Sequence, residues 1–260
     1  MNYLKNTLMI GCSISFLISG SVVAQDPPPP AFSAIETFAC NYNEGKNRAD
    51  LDKVIGKWNK WMDKQGGADY SAWVMTPLMG SADYPMDFAW LGVWANGNDM
   101  GKGMQSWMED GGAMSAEFDG VITCPEHGLS ASVNVRPPAG EWPGKGGVTV
   151  FSDCAVADGK TVADAMAANR AWAKHLDATG SKAGMWVFFQ AAGTNDSEHD
   201  YKVVSSFPDF EAYGADWEAY TNGQGWAKAG QIYGGVTDCG SQRVYQTTTV
   251  RDGGVGPVPK

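Results

Sequence analysis

Two cysteine pairs at nearly equal separations constrain this chain more than any other feature. Cys40 to Cys124 spans 84 residues, and Cys154 to Cys239 spans 85. A shift of 113 to 115 residues also lays the first half over the second elsewhere. Gly45-Lys46 meets Gly159-Lys160, Trp58 meets Trp172, and Gly66 meets Gly180. Trp73-Val74 meets Trp186-Val187, Asp87 meets Asp200, Gly101 meets Gly214, and Gly120-Val121 meets Gly235-Val236. A colinear set with so little slippage points to an internal repeat, so the chain is read as two tandem copies.

Each copy has the same element order. Residues 34–42 and 148–156 read as first strands. Asn47 with Asp50, and Thr161 with Asp164, place a polar N-cap three residues before an acid, the pattern of a capping box. Leu51, Val54, Ile55, Trp58 and Met62 recur at helical spacing, as do Ala165, Ala168, Trp172 and Leu176. Gly66 and Gly180 supply C-terminal stops. Residues 73–78 and 185–191 read as second strands, and 87–94 and 200–207 as third strands. A second helix follows in each copy, with Met100, Met104 and Trp107 in one and Tyr213, Trp217 and Tyr220 in the other. Fourth strands are expected to end at the cysteines, near residues 120–124 and 235–239.

The order βαββαβ, twice, predicts an α+β fold of two tandem ferredoxin-like units packed as an intramolecular pseudo-dimer. First and fourth strands are antiparallel neighbours in such a unit. That placement favours Cys40–Cys124 and Cys154–Cys239 over the other two pairings. The division reads as a signal peptide (1–24), a Pro-rich spacer (25–33), copy one (34–124), a Pro/Gly/Ser-rich linker (125–147), copy two (148–246) and a flexible tail (247–260).

The leader sets the compartment. Lys5 precedes an apolar run from Leu8 to Ile18, and Val22 and Ala24 occupy the −3 and −1 positions before Gln25. This is a secretory signal pattern, so export to the periplasm or the extracellular medium is expected, where disulfides persist. Gln25 to Pro30 reads as a short polyproline spacer. The full chain carries a formal net charge of −10, and loss of Lys5 with the leader makes it −11. An acidic surface repels phosphate backbones, which argues against nucleic acid as a partner. No other segment looks membrane-spanning. A monomer is expected.

The pattern resembles the dimeric α+β barrel superfamily, which includes the antibiotic-biosynthesis-monooxygenase-like proteins. The resemblance covers residues 34–124 and 148–239. It rests on element order and on Phe207-Pro-Asp-Phe-Glu-Ala-Tyr213, where an aromatic third strand runs into an aromatic helix. It implies that the two copies pair through their sheets within one chain. Functions in that superfamily include cofactor-independent oxidation, haem breakdown and isomerisation, so the likeness selects none. The Asn, Trp and His of its haem-degrading members match no motif here, and no cofactor is expected.

Catalytic signatures are missing. His127, His175 and His199 are scattered and lack the paired spacing of a zinc site. Gly159-Lys160-Thr161 lacks the upstream glycine of a phosphate loop, because Cys154 stands there. Matched acids, Glu44 with Asp158 and Asp87 with Asp200, fit turns. Met100, Met104 and Met108 share a helix face, but Tyr213 and Trp217 replace the first two in copy two, so the face reads as core. The tryptophans are the one functional hint. Phe88, Trp90 and Trp94 share a strand face in copy one, where copy two has Tyr201, Val203 and Phe207. With Trp73 they are expected to line a pocket for a small apolar or aromatic ligand. The reading favours a binding module over catalysis. The alternatives are a cofactor-independent oxygenase, with Asn41, Asn43 or Asp87 as its polar residue, and an interaction module without a pocket.

Overall fold

The computed structural model describes residues 31–65, 69–80, 85–140, 142, 144–193 and 199–255. The expected signal peptide, residues 25–30 of the spacer, Gly66 and residues 256–260 lie outside them. The first half runs β1 (Ser33–Tyr42), α1 (Arg48–Gln65), β2 (Tyr70–Met79), β3 (Phe88–Trp94), α2 (Gly97–Asp110), α3 (Gly112–Asp119) and β4 (Ile122–Arg136). The second runs β5 (Gly146–Val156), α4 (Val162–Thr179), β6 (Gly184–Ala192), β7 (Tyr201–Phe207), α5 (Phe210–Thr221), α6 (Gly225–Tyr233), β8 (Thr237–Cys239) and β9 (Arg243–Arg251).

Strand order is β4-β1-β3-β2 in the first half and β9-β5-β7-β6 in the second. Two antiparallel seams join them. At one, β4 pairs with β6, and at the other β2 pairs with β9. Eight strands therefore close into a barrel, a mixed α+β fold with six helices among the described residues. The short β8 extends the edge of β5 where β9 leaves it. Cys40–Cys124 and Cys154–Cys239 are both bonded, as the strand placement predicts.

Local chemistry explains the elements. Thr161 and Asp164 form the full capping box that starts α4, and Gly180 ends that helix in the left-handed region. Asn47 is a simpler cap, its side chain accepting from the Ala49 N–H at 2.9 Å. Asn96 and Asp209, 113 residues apart, cap α2 and α5 in the same way. Each second helical segment is in fact two helices, broken near Gly111-Gly112 and Gly223.

Two boundaries and one strand differ from the sequence reading: the second half's fourth barrel strand is β9, and the segment near 235–239 forms only the short β8. Residues 125–136, assigned to a linker, continue β4, and residues 247–251, assigned to a tail, belong to β9. In β4 the barrel supplies the partner that small residues such as Ser130, Ala131 and Ser132 could not announce, and Pro137-Pro138 then ends the strand. The connection between halves is short, residues 137–145.

Packing divides by strand face. Ile35, Trp73, Met75, Leu91, Val93, Phe151, Phe188, Val204 and Tyr245 meet inside the barrel. On the outer face of the first half, Leu51, Val54, Ile55 and Trp58 of α1 cover Tyr70, Val74, Phe88, Trp90 and Trp94. Second-half helices cover smaller clusters around Val187 and Tyr201, and around Val148 and Phe207.

Candidate functional site

One end of the barrel interior opens into a cavity of about 290 Å³. Trp73, Trp142, Trp186 and Phe188 give it aromatic walls, and Ile35, Leu91, Val93 and Val204 add aliphatic surface. Inward positions alternate along each strand, so each of the eight strands contributes between one and three residues. The polar lining is neutral: Ser33, Ser132, Asn134, Thr149, Ser206, Thr247 and Thr249. Three of these hydroxyls form a ladder across β9, β5 and β7. Thr247 Oγ1 donates to Thr149 Oγ1 at 2.8 Å, and Thr149 Oγ1 lies 3.0 Å from Ser206 Oγ. The buried Trp142 Nε1 has no hydrogen-bond partner among the described residues. Gly146 is required at the rim, because its φ is +127° and the Thr247 carbonyl occupies the place a Cβ would take.

The four residues expected to line one pocket do not meet there. Trp73 lines the cavity. Phe88, Trp90 and Trp94 share a face as the alternation requires, but that face packs beneath the first-half helices. Trp90 is 5.2 Å from Trp58, ring to ring, and Trp94 is 4.6 Å from Tyr70. Sequence reasoning missed Trp142, Trp186 and Phe188, since they join Trp73 only through barrel closure.

Beneath those tryptophans lies a polar chain. Glu36 on β1 pairs across Gly92 on β3, and Gly92 pairs in turn with Ala72 on β2. Without a side chain at Gly92, Tyr70 sweeps over the strand, its hydroxyl occupying the space a Cβ would need. Tyr70 Oη donates to Glu36 Oε1 at 2.5 Å and accepts from Trp90 Nε1 at 2.9 Å. Glu36 Oε2 lies 3.1 Å from His127 Nε2, and the His127 ring stacks on Phe38 at 3.8 Å. Burial, and then the Glu36 charge, hold the Tyr70 phenol well above its ordinary pKa.

The opposite end of the barrel is charged. Asp153 takes two hydrogen bonds from Arg243, at 2.7 and 2.9 Å, and one from Lys202 at 2.5 Å. His199 Nε2 stands 2.9 Å from Lys202 Nζ, so this histidine is built into a network rather than lying loose at the surface. Burial raises the Asp153 pKa, but the bonds from Arg243 and Lys202 outweigh it and leave the carboxyl far below its usual range.

The remaining candidates are spent on structure. Asp87 Oδ2 accepts from the Tyr42 N–H at 2.8 Å, and Asp200 Oδ2 accepts from the Val156 N–H at 2.7 Å. Asn41 accepts from the Asp87 N–H, and Asn43 donates to the Asp119 carbonyl. None of these lines the cavity. Met100 and Met104 pack on the first-half core, whereas Met108 is exposed. No group of metal-ligating side chains occurs among the described residues.

No protein-family model matches the chain, and no curated protein matches it by sequence. Solved structures do share its fold. A Fusobacterium nucleatum protein, provisionally assigned as a monooxygenase, superposes with a TM-score of 0.52 at 7% identity, covering 85% of this chain and 94% of its own. A substituted chlorite dismutase from Candidatus Nitrospira defluvii superposes at 0.50 with 8% identity, covering 84% and 92%. An anthrone oxidase-like protein aligns more loosely, at 0.48 with 12% identity over 86% and 96%. The chain therefore has the α+β barrel architecture of the monooxygenase-like and chlorite dismutase structures, as the resemblance in its sequence implies.

Proposed function

We propose that this is an exported protein that binds a small, uncharged, largely apolar or aromatic ligand in the mouth of its barrel. The observation that carries the reading is the cavity itself, with indole walls and a neutral hydroxyl ladder in one concave site. Indoles offer large rigid contact area, and a few placed hydroxyls fix orientation. Two long-range disulfides fit an oxidising compartment, periplasmic or extracellular. We also infer that the halves are copies of one ferredoxin-like unit forming an intramolecular pseudo-dimer. The repeated strand order supports this, as do the matched Asp87 and Asp200 bonds and the left-handed Gly45 and Gly159.

Tryptophan fluorescence and calorimetry on the mature protein, with a panel of neutral aromatic compounds, test the reading. Trp73→Ala weakens binding about tenfold or more, the scale of a buried aromatic anchor. Trp90→Ala leaves affinity unchanged. A reversed pattern, in well-folded variants, would place the ligand under the helices instead.

A second reading is a cofactor-independent oxygenase. The Fusobacterium neighbour assigned as a monooxygenase favours it, together with the buried Tyr70–Glu36 pair. Oxygen uptake with phenolic substrates, abolished by Glu36→Gln, would support catalysis; no uptake across the panel would remove it.

A further inference from the structure

The polar chain beneath α1 belongs to neither the cavity nor the disulfides. Tyr70 is only 4% exposed, yet its partner is a carboxylate rather than a neutral acceptor. A backbone carbonyl would satisfy a buried phenol without desolvating a charge, so the Glu36 side chain asks for another explanation. The carboxylate leads outward: Glu36 Oε2 meets His127, whose side chain is 45% exposed. Two hydrogen bonds thus connect a sealed phenol to a solvent-facing ring.

Aromatic rings lead out on another side. Trp90 Nε1 bonds the Tyr70 oxygen, and the Trp58 ring lies 5.2 Å from Trp90 and 6.0 Å from Tyr70. Trp61 follows Trp58 by three residues on α1, which puts the two on neighbouring positions of one helix face. The Trp61 ring is 5.4 Å from Trp107, and both are partly exposed. Indoles and phenols are the side chains most readily oxidised by one electron. Oxidising a phenol in a dry site also needs a base in contact, because the oxidised phenol is a very strong acid. Tyr70 has that base in Glu36 Oε1, 2.5 Å from its hydroxyl.

We propose that Tyr70 is a redox-active tyrosine with separate exits for its electron and its proton. One electron passes through Trp90, Trp58, Trp61 and Trp107 to an outer-sphere one-electron oxidant, a high-potential metal complex or an organic radical. The Tyr70 O–H bond breaks, an O–H bond forms on Glu36 Oε1, the oxidant is reduced by one electron, and a neutral phenoxyl remains. The second half has no counterpart, since Ala183 and Val150 occupy the positions matched to Tyr70 and Glu36.

Flash-generated tris(bipyridyl)ruthenium(III) supplies the oxidant for the test, with transient absorption and electron paramagnetic resonance as readouts on the mature protein. The wild type forms a phenoxyl radical, and Tyr70→Phe forms an indolyl radical instead. Glu36→Gln, which keeps the shape and removes the base, slows phenoxyl formation about a hundredfold. Equal phenoxyl yield in Tyr70→Phe, or an unchanged rate in Glu36→Gln, overturns the proposal. A solvent deuterium isotope effect on the wild type needs no variant: a clear effect supports coupled proton transfer, and its absence overturns it.

Discussion

The helix-facing layers of the two halves fill the same plan with different chemistry. In the first half Trp58, Trp90, Trp94 and Tyr70 are buried together, with Met114 beside them. In the second half Ala165, Ala168 and Ala173 line the inner face of α4. Trp172, matched to Trp58, is only partly buried and packs on His175, Tyr220 and Tyr233. Polar groups fill some of the difference. Arg136 is 4% exposed and donates to the Ser181 and Ala183 carbonyls and to Asp177. Asn169 is fully buried, donating to the Ala165 carbonyl and accepting from Tyr233. The comparison teaches that barrel closure and disulfides fix the backbone, while the layer under the helices is free to specialise. The first half buries Tyr70, Trp90 and Trp94 where the second has Ala183, Val203 and Phe207.

The largest effect that could break this comparison is loss of a disulfide. Replacing either cysteine pair by serine removes about 4–5 kcal/mol in the chain-entropy model, since both loops are long. Urea unfolding should give equal losses if the halves share one plan, and unequal ones if they do not. Next comes the aromatic layer: Trp90→Ala costs about 3–5 kcal/mol, whereas the matched Val203→Ala costs about 1–2 kcal/mol. Asp153→Asn leaves Lys202 and Arg243 without their buried counter-charge, a loss of about 3–5 kcal/mol at neutral pH. That contribution has a defined sign. The folded pKa of Asp153 lies below its unfolded value, so the stabilisation is complete above about pH 5 and fades as pH falls toward the folded value. Acid titration should therefore narrow the gap between wild type and Asp153→Asn. The smallest effect concerns the matched turns. Asp87→Ala and Asp200→Ala each remove one side-chain bond to a backbone N–H, about 0.5–1.5 kcal/mol, and equal shifts in Tm sharpen the equivalence.

Much of this was readable from residue spacing. The disulfide pairing followed from strand order, and Thr161, Asp164 and Gly180 announced α4. What the spacing could not decide was direction. Every residue of β3 is buried, because the barrel core takes one face and the helices take the other. Alternation grouped Phe88, Trp90 and Trp94 correctly, but with both faces apolar it carried no label for inside or outside. The cavity was hidden for a related reason. Trp73 and Phe188 come together only when the seams join the halves, and no local pattern encodes that meeting. Strand β4 was cut short, and β9 was missed in favour of the segment near 235–239, because Ser, Thr and Gly look like loop when their ladder partners lie in the other half.

The two seams also bear on crowding. A sheet that ends exposes a row of unsatisfied N–H and C=O groups, a template on which further chains can stack into fibrils. Here each of the eight barrel strands has a partner on either side, and short β8 covers the part of β5 that β9 vacates. The Trp- and Val-rich β2, β3 and β5 would be hazardous as free borders, and the ring turns each into an interior stave.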